Sequence, residues 1–154
     1  KRSIKKVAVL GSGVMGSRIA CHFAGISVQV LLLDIAPPPP EGGFSKPSDK
    51  NKIVNDALAA AIKSNPSPVY HKDVIKKIST GNFEDDLPKI KDCDWVIEVV
   101  VERLDIKQQV YTNVEKHRKP GTLITTNTSG IPIHALLEGR SEDFAKHFCG
   151  THFF

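Results

Sequence analysis

Cysteine is scarce in this chain: three among 154 residues, at Cys21, Cys93 and Cys149. The odd count rules out a fully paired disulfide framework, and the wide spacing rules out a CxxC zinc or redox motif. No metal is therefore expected, and a reducing compartment such as the cytoplasm is. Long apolar runs are missing too. A membrane helix needs roughly 18–20 consecutive apolar residues, whereas the run Val30–Leu33 stops at Asp34. Lys1–Lys6 leads into only Val7–Leu10 before glycines begin, too short a core for a secretory leader. Nor does one sign of charge dominate. Twenty-one basic against 17 acidic residues leave +4, too little and too scattered for a nucleic-acid surface. With 40% apolar and 25% charged residues, the chain is neither disordered nor fibrous. Its length suits one domain with a real core.

What is present is an alternation of strands and helices. Lys6–Leu10 is a short, wholly apolar strand of the kind buried on both faces of a parallel sheet. Glycines follow at 11, 13 and 16, and Val14–Gly25 reads as a helix with Met15, Ile19, His22 and Phe23 on its inner face. Val28–Leu33 is a second strand that ends in Asp34, which closes a βαβ unit of about thirty residues. Pro37–Pro40 and Glu41–Ser48 read as a surface loop. A helix is expected over Lys50–Ser64, capped by Ser48 or Asp49, and a shorter one over His71–Lys77. Ile78–Thr80 is a weak strand and Asp94–Val101 a strong one. Leu104–His117 is an amphipathic helix, Leu123–Thr126 a strand, Ile131–Leu137 a helix and Phe148–Phe154 a last strand. No internal repeat occurs. The expected fold is α/β: a doubly wound, mostly parallel Rossmann sheet with helices on both faces.

The first chemical signal is Gly11-Ser12-Gly13-Val14-Met15-Gly16, a GxGxxG turn. It follows a strand, opens a helix and precedes an acid 18 positions past its last glycine, and that context makes it specific. Gly11 permits the tight turn. Gly13 leaves the backbone open to a pyrophosphate. Gly16 lets helix and strand pack closely. The helix N-terminus then offers free N–H groups and a positive dipole end to the phosphates. Asp34 would accept hydrogen bonds from both ribose hydroxyls and repel a 2′-phosphate, so NAD is the expected cofactor rather than NADP. The later strands also end in polar groups, at Glu102, at Asn127-Thr128-Ser129 and at Thr151-His152. In an open α/β sheet ligands bind beyond the carboxyl ends of the strands, so Glu102, Asn127 and Ser129 face the same crevice as the glycine turn.

Four stretches, VAVLGSGVMGSRIA, VVERLDIKQQV, TNTSGIPIHAL and FCGTHFF, carry a resemblance to the NAD-binding domain of L-3-hydroxyacyl-CoA dehydrogenases, most of all those of large bacterial fatty acid β-oxidation proteins. The resemblance runs over nearly the whole chain, and its last three motifs are far more specific than the glycine turn. It implies an oxidoreductase of lipid metabolism that converts L-3-hydroxyacyl-CoA to 3-oxoacyl-CoA with NAD. It also implies that residues 1–154 are the NAD-binding Rossmann domain, a fragment without the family's helical C-terminal domain, in a protein that is a homo-oligomer at full length. By resemblance, residues 11–16, Asp34, Glu102, Lys107, Asn127 and Ser129 hold the cofactor. Ser129, Lys107 and Lys63 meet the acyl-CoA substrate, and His152, with Ser129 beside it, is catalytic as the general base. The family's orienting glutamate, about a dozen residues after that base, falls beyond Phe154, so the fragment alone is expected to be inactive.

There are departures from the family pattern. Arg18 stands where relatives carry a small residue, Gly130 replaces the second serine of NTSS, and the proline run is unusual. Two rival readings share part of the pattern. One is another two-domain NAD-dependent β-hydroxyacid-type dehydrogenase, against which the GTHFF strand argues. The other is a crystallin-like, non-enzymatic relative. Other residues have plainer readings: His22 as a packed core residue, Glu98 as a strand-face or edge charge, Cys149 as a buried small residue, and Ser129 as a helix cap in addition to its ligand role.

Overall fold

The computed structural model of the chain describes residues 1–39, 41 and 46–154. Six parallel strands form one sheet: β1 (Lys6–Leu10), β2 (Gln29–Asp34), β3 (Ile78–Asn82), β4 (Trp95–Glu98), β5 (Leu123–Thr126) and β6 (Phe148–Gly150). Their order is β3-β2-β1-β4-β5-β6, with every neighbouring pair parallel. The doubly wound sheet expected from the strand–helix alternation is therefore present. The order reverses between β1 and β4, which opens a crevice beyond their carboxyl ends.

Two cores explain why β1 is apolar on both faces. Val7 and Val9 pack with Ile19 and Phe23 of α1 (Val14–Gly25) and with Val54 and Leu58 of α3 (Lys52–Lys63). Ala8 and Leu10 pack on the other side with Tyr111 and Val114 of α4 (Leu104–His117), Leu136 of α5 (Ile133–Leu136) and Phe144 of α6 (Glu142–Lys146). All four of these β1 side chains are wholly buried. A strand exposed to water on one face would not tolerate this pattern, because each exposed branched side chain forgoes roughly 1.5–3 kcal/mol of burial.

Element boundaries depart from the sequence reading at several points. The helix expected over Lys50–Ser64 is split into α2 (Pro47–Lys50) and α3, with Asn51 at the junction as the N-cap position of α3, in place of Ser48 or Asp49. The surface loop read over 41–48 thus ends sooner. Pro37–Pro39 have no regular structure, while Pro40 and residues 42–45 lie outside the described residues. The segment Lys72–Lys77 is a 3-10 helix, and β3 runs on to Asn82. A second 3-10 helix, Leu87–Asp92, and the helix α6 carry no clear apolar period, although Leu87, Ile90 and Phe144 are buried. The strands β4 and β6 stop at Glu98 and Gly150, because the residues beyond them leave the ladder to form the crevice.

The start of β1 is tied to β4 by Asp94. Its Oδ2 accepts from the N–H groups of Lys5 (2.8 Å) and Lys6 (3.1 Å), and its Oδ1 from Lys119 Nζ (3.0 Å). Partial burial raises the carboxyl's pKa, but these hydrogen bonds and the Lys119 charge outweigh it and hold the group below the usual range. A depressed carboxylate adds stability above its unfolded-state pKa and loses it as the pH falls through the folded value. Asp94→Asn is expected to cost about 1–2 kcal/mol near neutral pH, with the gap to the parent narrowed at an acidic pH below the carboxyl's lowered range. Urea unfolding at the two pH values measures this, and an unchanged gap in acid would contradict it.

Candidate functional site

The crevice is built first by three glycines. Gly11 has φ of +108°, a left-handed conformation that L side chains avoid, and an added Cβ would lie 2.5 Å from the Val99 carbonyl oxygen. A Cβ on Gly16 would lie 1.8 Å from the Gly11 oxygen. Gly13 differs: a Cβ there would meet nothing within 4 Å. Its bare face is not a packing requirement of this chain, which leaves close approach from outside as its use. Gly13 is the N-cap position of α1, no side chain caps the helix, and its first turn has no acidic residue. The first N–H groups of α1 therefore have no intrahelical acceptor and no side-chain acceptor, and they point at the opening with the positive end of the dipole. A cavity of about 250 Å³ adjoins them, lined by Ser12, Ser17 and Arg18 on one side and Ala57, Ala60 and Ser64 on the other. This combination fits a dinucleotide's pyrophosphate.

Asp34, at the end of β2, closes one side of the crevice. Its Oδ2 accepts from Ser12 N–H at 2.8 Å and from the Ser12 hydroxyl, and its Oδ1 accepts from Ile35 N–H at 2.7 Å. Ser12 is buried, and Ser17 Oγ donates to its carbonyl at 2.6 Å. The carboxylate is thus held in register with the glycine turn, with acceptor capacity left for ribose hydroxyls. Arg18 does not crowd the neighbouring helix. It donates to Ser64 Oγ (3.0 Å) and the Pro66 carbonyl (3.3 Å), and so joins α1 to the end of α3.

Across the switch point lies a second polar group. Glu98, the last residue of β4, is wholly buried, which corrects its reading as a strand-face charge. Its Oε1 accepts from Lys107 Nζ at 2.5 Å, and its Oε2 accepts from Thr126 Oγ1 at 2.5 Å and Tyr111 OH at 3.2 Å. Lys107, also buried, donates further to the Val100 carbonyl at 3.2 Å and pairs with Glu102 at 3.3 Å. Glu102 reaches the surface. It accepts from the Thr128 hydroxyl and from Gly130 N–H at 3.1 Å. Partial burial raises its pKa, but those two donors and Lys107 prevail and keep it ionised below the usual range. Burial, with the Glu98 charge, pushes the Tyr111 phenol well up, so it stays a donor.

The remaining residues singled out in the sequence fall into place around this frame. Ser129 is exposed on the loop that Glu102 holds, and it is not a cap, since α5 starts later with Pro132 at its N-cap position. Asn127 Oδ1 accepts from Phe153 N–H at 3.4 Å, and Thr151 N–H donates to the Thr126 carbonyl at 2.9 Å. These contacts bring His152, exposed just beyond β6, to the end of β5. Val14 and Met15 are exposed on the first turn of α1. Lys63, the last residue of α3, is exposed and makes no hydrogen bond to the other site residues among those described. Lys107 lies beneath the crevice, its amino group turned inward. Two further plainer readings are overturned. His22 is exposed on α1, because Ile19 and Phe23 already fill that face, and Cys149 is exposed on the edge strand β6. Sequence reasoning missed Glu98, Tyr111, Thr126 and Thr128 as members of the site. The available signal was an acid inside the apolar run Trp95–Val101 with a lysine nine residues on.

An open parallel sheet in this strand order, with an uncapped glycine turn and an acid at the end of β2, defines a dinucleotide-binding domain. The chain belongs to the family described as 3-hydroxyacyl-CoA dehydrogenase, NAD binding domain, whose model matches residues 6–154. It is 45% identical over 160 residues to a protein of Bacillus subtilis (strain 168) named a probable 3-hydroxyacyl-CoA dehydrogenase, covering 99% of this chain and 20% of that one. A protein of the same name from Deinococcus radiodurans is 46% identical over 151 residues, covering 98% of this chain and 42% of that one. Among solved structures, 3-hydroxybutyryl-CoA dehydrogenase from Escherichia coli K12 superposes with a TM-score of 0.75 at 29% identity, covering 99% of this chain and 30% of that one. The chain therefore spans between a fifth and about two-fifths of the length of these curated relatives. No helix among the described residues is long and apolar enough to cross a membrane.

The glycines separate folding from binding. Gly16→Ala should destabilise the chain by at least about 2 kcal/mol, since backbone must move to admit the methyl group. Gly13→Ala should stay within about 1 kcal/mol of the parent. Thermal unfolding of both variants tests this, and equal losses would contradict it.

Proposed function

We propose that this chain is the cofactor-binding part of an enzyme that oxidises L-3-hydroxyacyl-CoA to 3-oxoacyl-CoA with NAD, in fatty acid β-oxidation. The observation that carries the reading is the uncapped start of α1 over a bare Gly13, set beside Asp34 held by Ser12. The N–H groups of that turn hold the pyrophosphate, Asp34 holds the adenosine ribose, and Glu102, Asn127 and Ser129 line the nicotinamide half. When bound, NAD supplies the acceptor for hydride from C3 of the substrate. His152 takes the proton of the C3 hydroxyl, a task suited to imidazole because it changes charge near neutral pH. Ser129, exposed on the neighbouring loop, hydrogen-bonds the same oxygen, and Lys63 faces the CoA phosphates. In relatives the matched segment is a minor share of the protein, so the proposal gives this chain, as a Rossmann domain spanning 1–154, the cofactor's part. The acyl pocket and the contacts of a homo-oligomer fall to residues beyond it, and the chain alone turns over substrate poorly. A cytoplasmic location belongs to the same proposal and rests on three unpaired thiols.

Fluorescence titration of the chain with NADH and NADPH tests the cofactor half. NADH should bind at least about tenfold tighter, because a carboxylate facing a 2′-phosphate costs more than about 1.4 kcal/mol, and Asp34→Ser should narrow that gap. Equal affinities would overturn the assignment of Asp34. The chemical half is tested in the whole enzyme that carries this chain. There His152→Ala should lower kcat by roughly 10²–10⁴, the usual worth of a positioned general base, and leave NADH affinity within about twofold. A kcat within threefold of the parent would remove His152 from the chemistry.

A further inference from the structure

Nothing in the proposed reaction uses Glu98, yet its carboxylate is shut away from water and bonded at both oxygens. It is wholly buried at the end of β4, beside the switch point, and both its oxygens are engaged: Oε1 by Lys107, Oε2 by Thr126 and Tyr111. Three elements converge on this one carboxylate, namely β4, β5 and α4. The connections continue outward. Lys107 pairs with Glu102 at 3.3 Å, Thr126 Oγ1 accepts from Thr128 N–H at 3.2 Å, and Glu102 accepts from Thr128 Oγ1 and Gly130 N–H. Thr128 Oγ1 in turn accepts from Ile131 N–H at 3.3 Å. The loop 127–130 is thus held from two sides, and both routes begin at Glu98.

We infer that Glu98 is a positioning residue for the nicotinamide half of the dinucleotide site: it fixes Lys107 and Thr126, and through them sets Glu102 and the loop that carries Asn127 and Ser129. The inference rests on the dinucleotide reading above and adds a division of labour within it. In a doubly wound sheet each half of the strands serves one mononucleotide. Asp34 and the glycine turn stand at the end of β1 and β2, on the adenosine side. The Glu98 group stands at the end of β4 and β5, on the other. No hydrogen bond among the described residues joins the side chains of the two groups. A buried carboxylate with an ammonium partner is strongly directional, because each loses its hydration and can regain it only through these particular contacts. Lys107 spends its amino group inward on Glu98, Val100 and Glu102. It therefore serves the site by holding Glu102.

The test compares two ligands on the 154-residue chain. NADH spans both halves of the site, whereas ADP shares the adenosine and two phosphates and lacks the nicotinamide ribose. Glu98→Gln keeps the shape and removes the charge. It should weaken NADH at least tenfold and ADP less than twofold, as read by titration calorimetry, with circular dichroism confirming the fold. Thr126→Val, which removes one hydroxyl from the same frame, should weaken NADH three- to tenfold with the same selectivity, and it decides the matter if Glu98→Gln does not fold. A merely structural Glu98 would weaken both ligands alike or neither, and either result overturns the inference. If the parent chain binds neither NADH nor ADP, the dinucleotide reading fails and this inference with it. If it binds both and the variants leave their ratio unchanged, only the role of Glu98 falls.

Discussion

Where β1 ends, the Gly11 carbonyl lies 1.8 Å from the point at which a side chain on residue 16 would begin. That contact sets how closely α1 packs on the sheet. Bare positions at 11 and 16 let the helix start directly above the end of the central strand, and its unpaired N–H groups therefore open onto the switch point. The rest of the first half follows from this approach. Ile19 and Phe23 reach the core beside Val7 and Val9, α3 packs against α1, and Asp34 comes within hydrogen-bonding range of the turn through Ser12. A methyl group on Gly16 would push the helix outward and loosen all three, whereas one on Gly11 would strike the Val99 carbonyl beyond β4.

The second half is organised by charge instead of by close approach. Glu98 and Lys107 are buried together, and removing one member of such a pair costs roughly 3–5 kcal/mol because the other is left without water or partner. This makes the geometry at the ends of β4 and β5 stiff in addition to what the apolar core around Tyr111, Ile124 and Phe144 supplies. The crevice thus has one wall set chiefly by close backbone approach and another set chiefly by hydrogen bonds. A ligand that spans both is measured against a fixed distance, which is the usual advantage of a site built on strand ends.

Much of this was legible along the chain. The glycine turn, the acid at Asp34, the strand–helix alternation and the apolar strands carry their own local signatures, and each is found in its expected place along the chain, with β4 and β6 shorter than their apolar runs. The motif around Asn127 and Ser129 and the GTHFF segment pointed to the correct edge of the sheet. Legibility failed at the short helices. Leu87–Asp92 and Glu142–Lys146 are too brief to show a period, and the tertiary core decides them by taking Leu87, Ile90 and Phe144. It failed also for His22 and Cys149, whose polarity or size suits either side of a surface, so that neighbours such as Phe23 chose for them.

Local chemistry in the sequence by itself determined the fold class, the family and the glycine turn with its acid at Asp34, because backbone freedom, apolar period and motif spacing all act over a few residues. Only the tertiary structure decided the state of the charges. Glu98 reads along the chain as a strand-face or edge charge, since an acid in a strand is ordinarily solvated, and Lys107 reads by resemblance as a group that reaches the ligand. They are buried here because β5 and the start of α4 close over the end of β4, and a charge shut away from water must find its partner. Which partner it finds depends on which elements arrive from distant parts of the chain, and no single stretch of sequence contains that information.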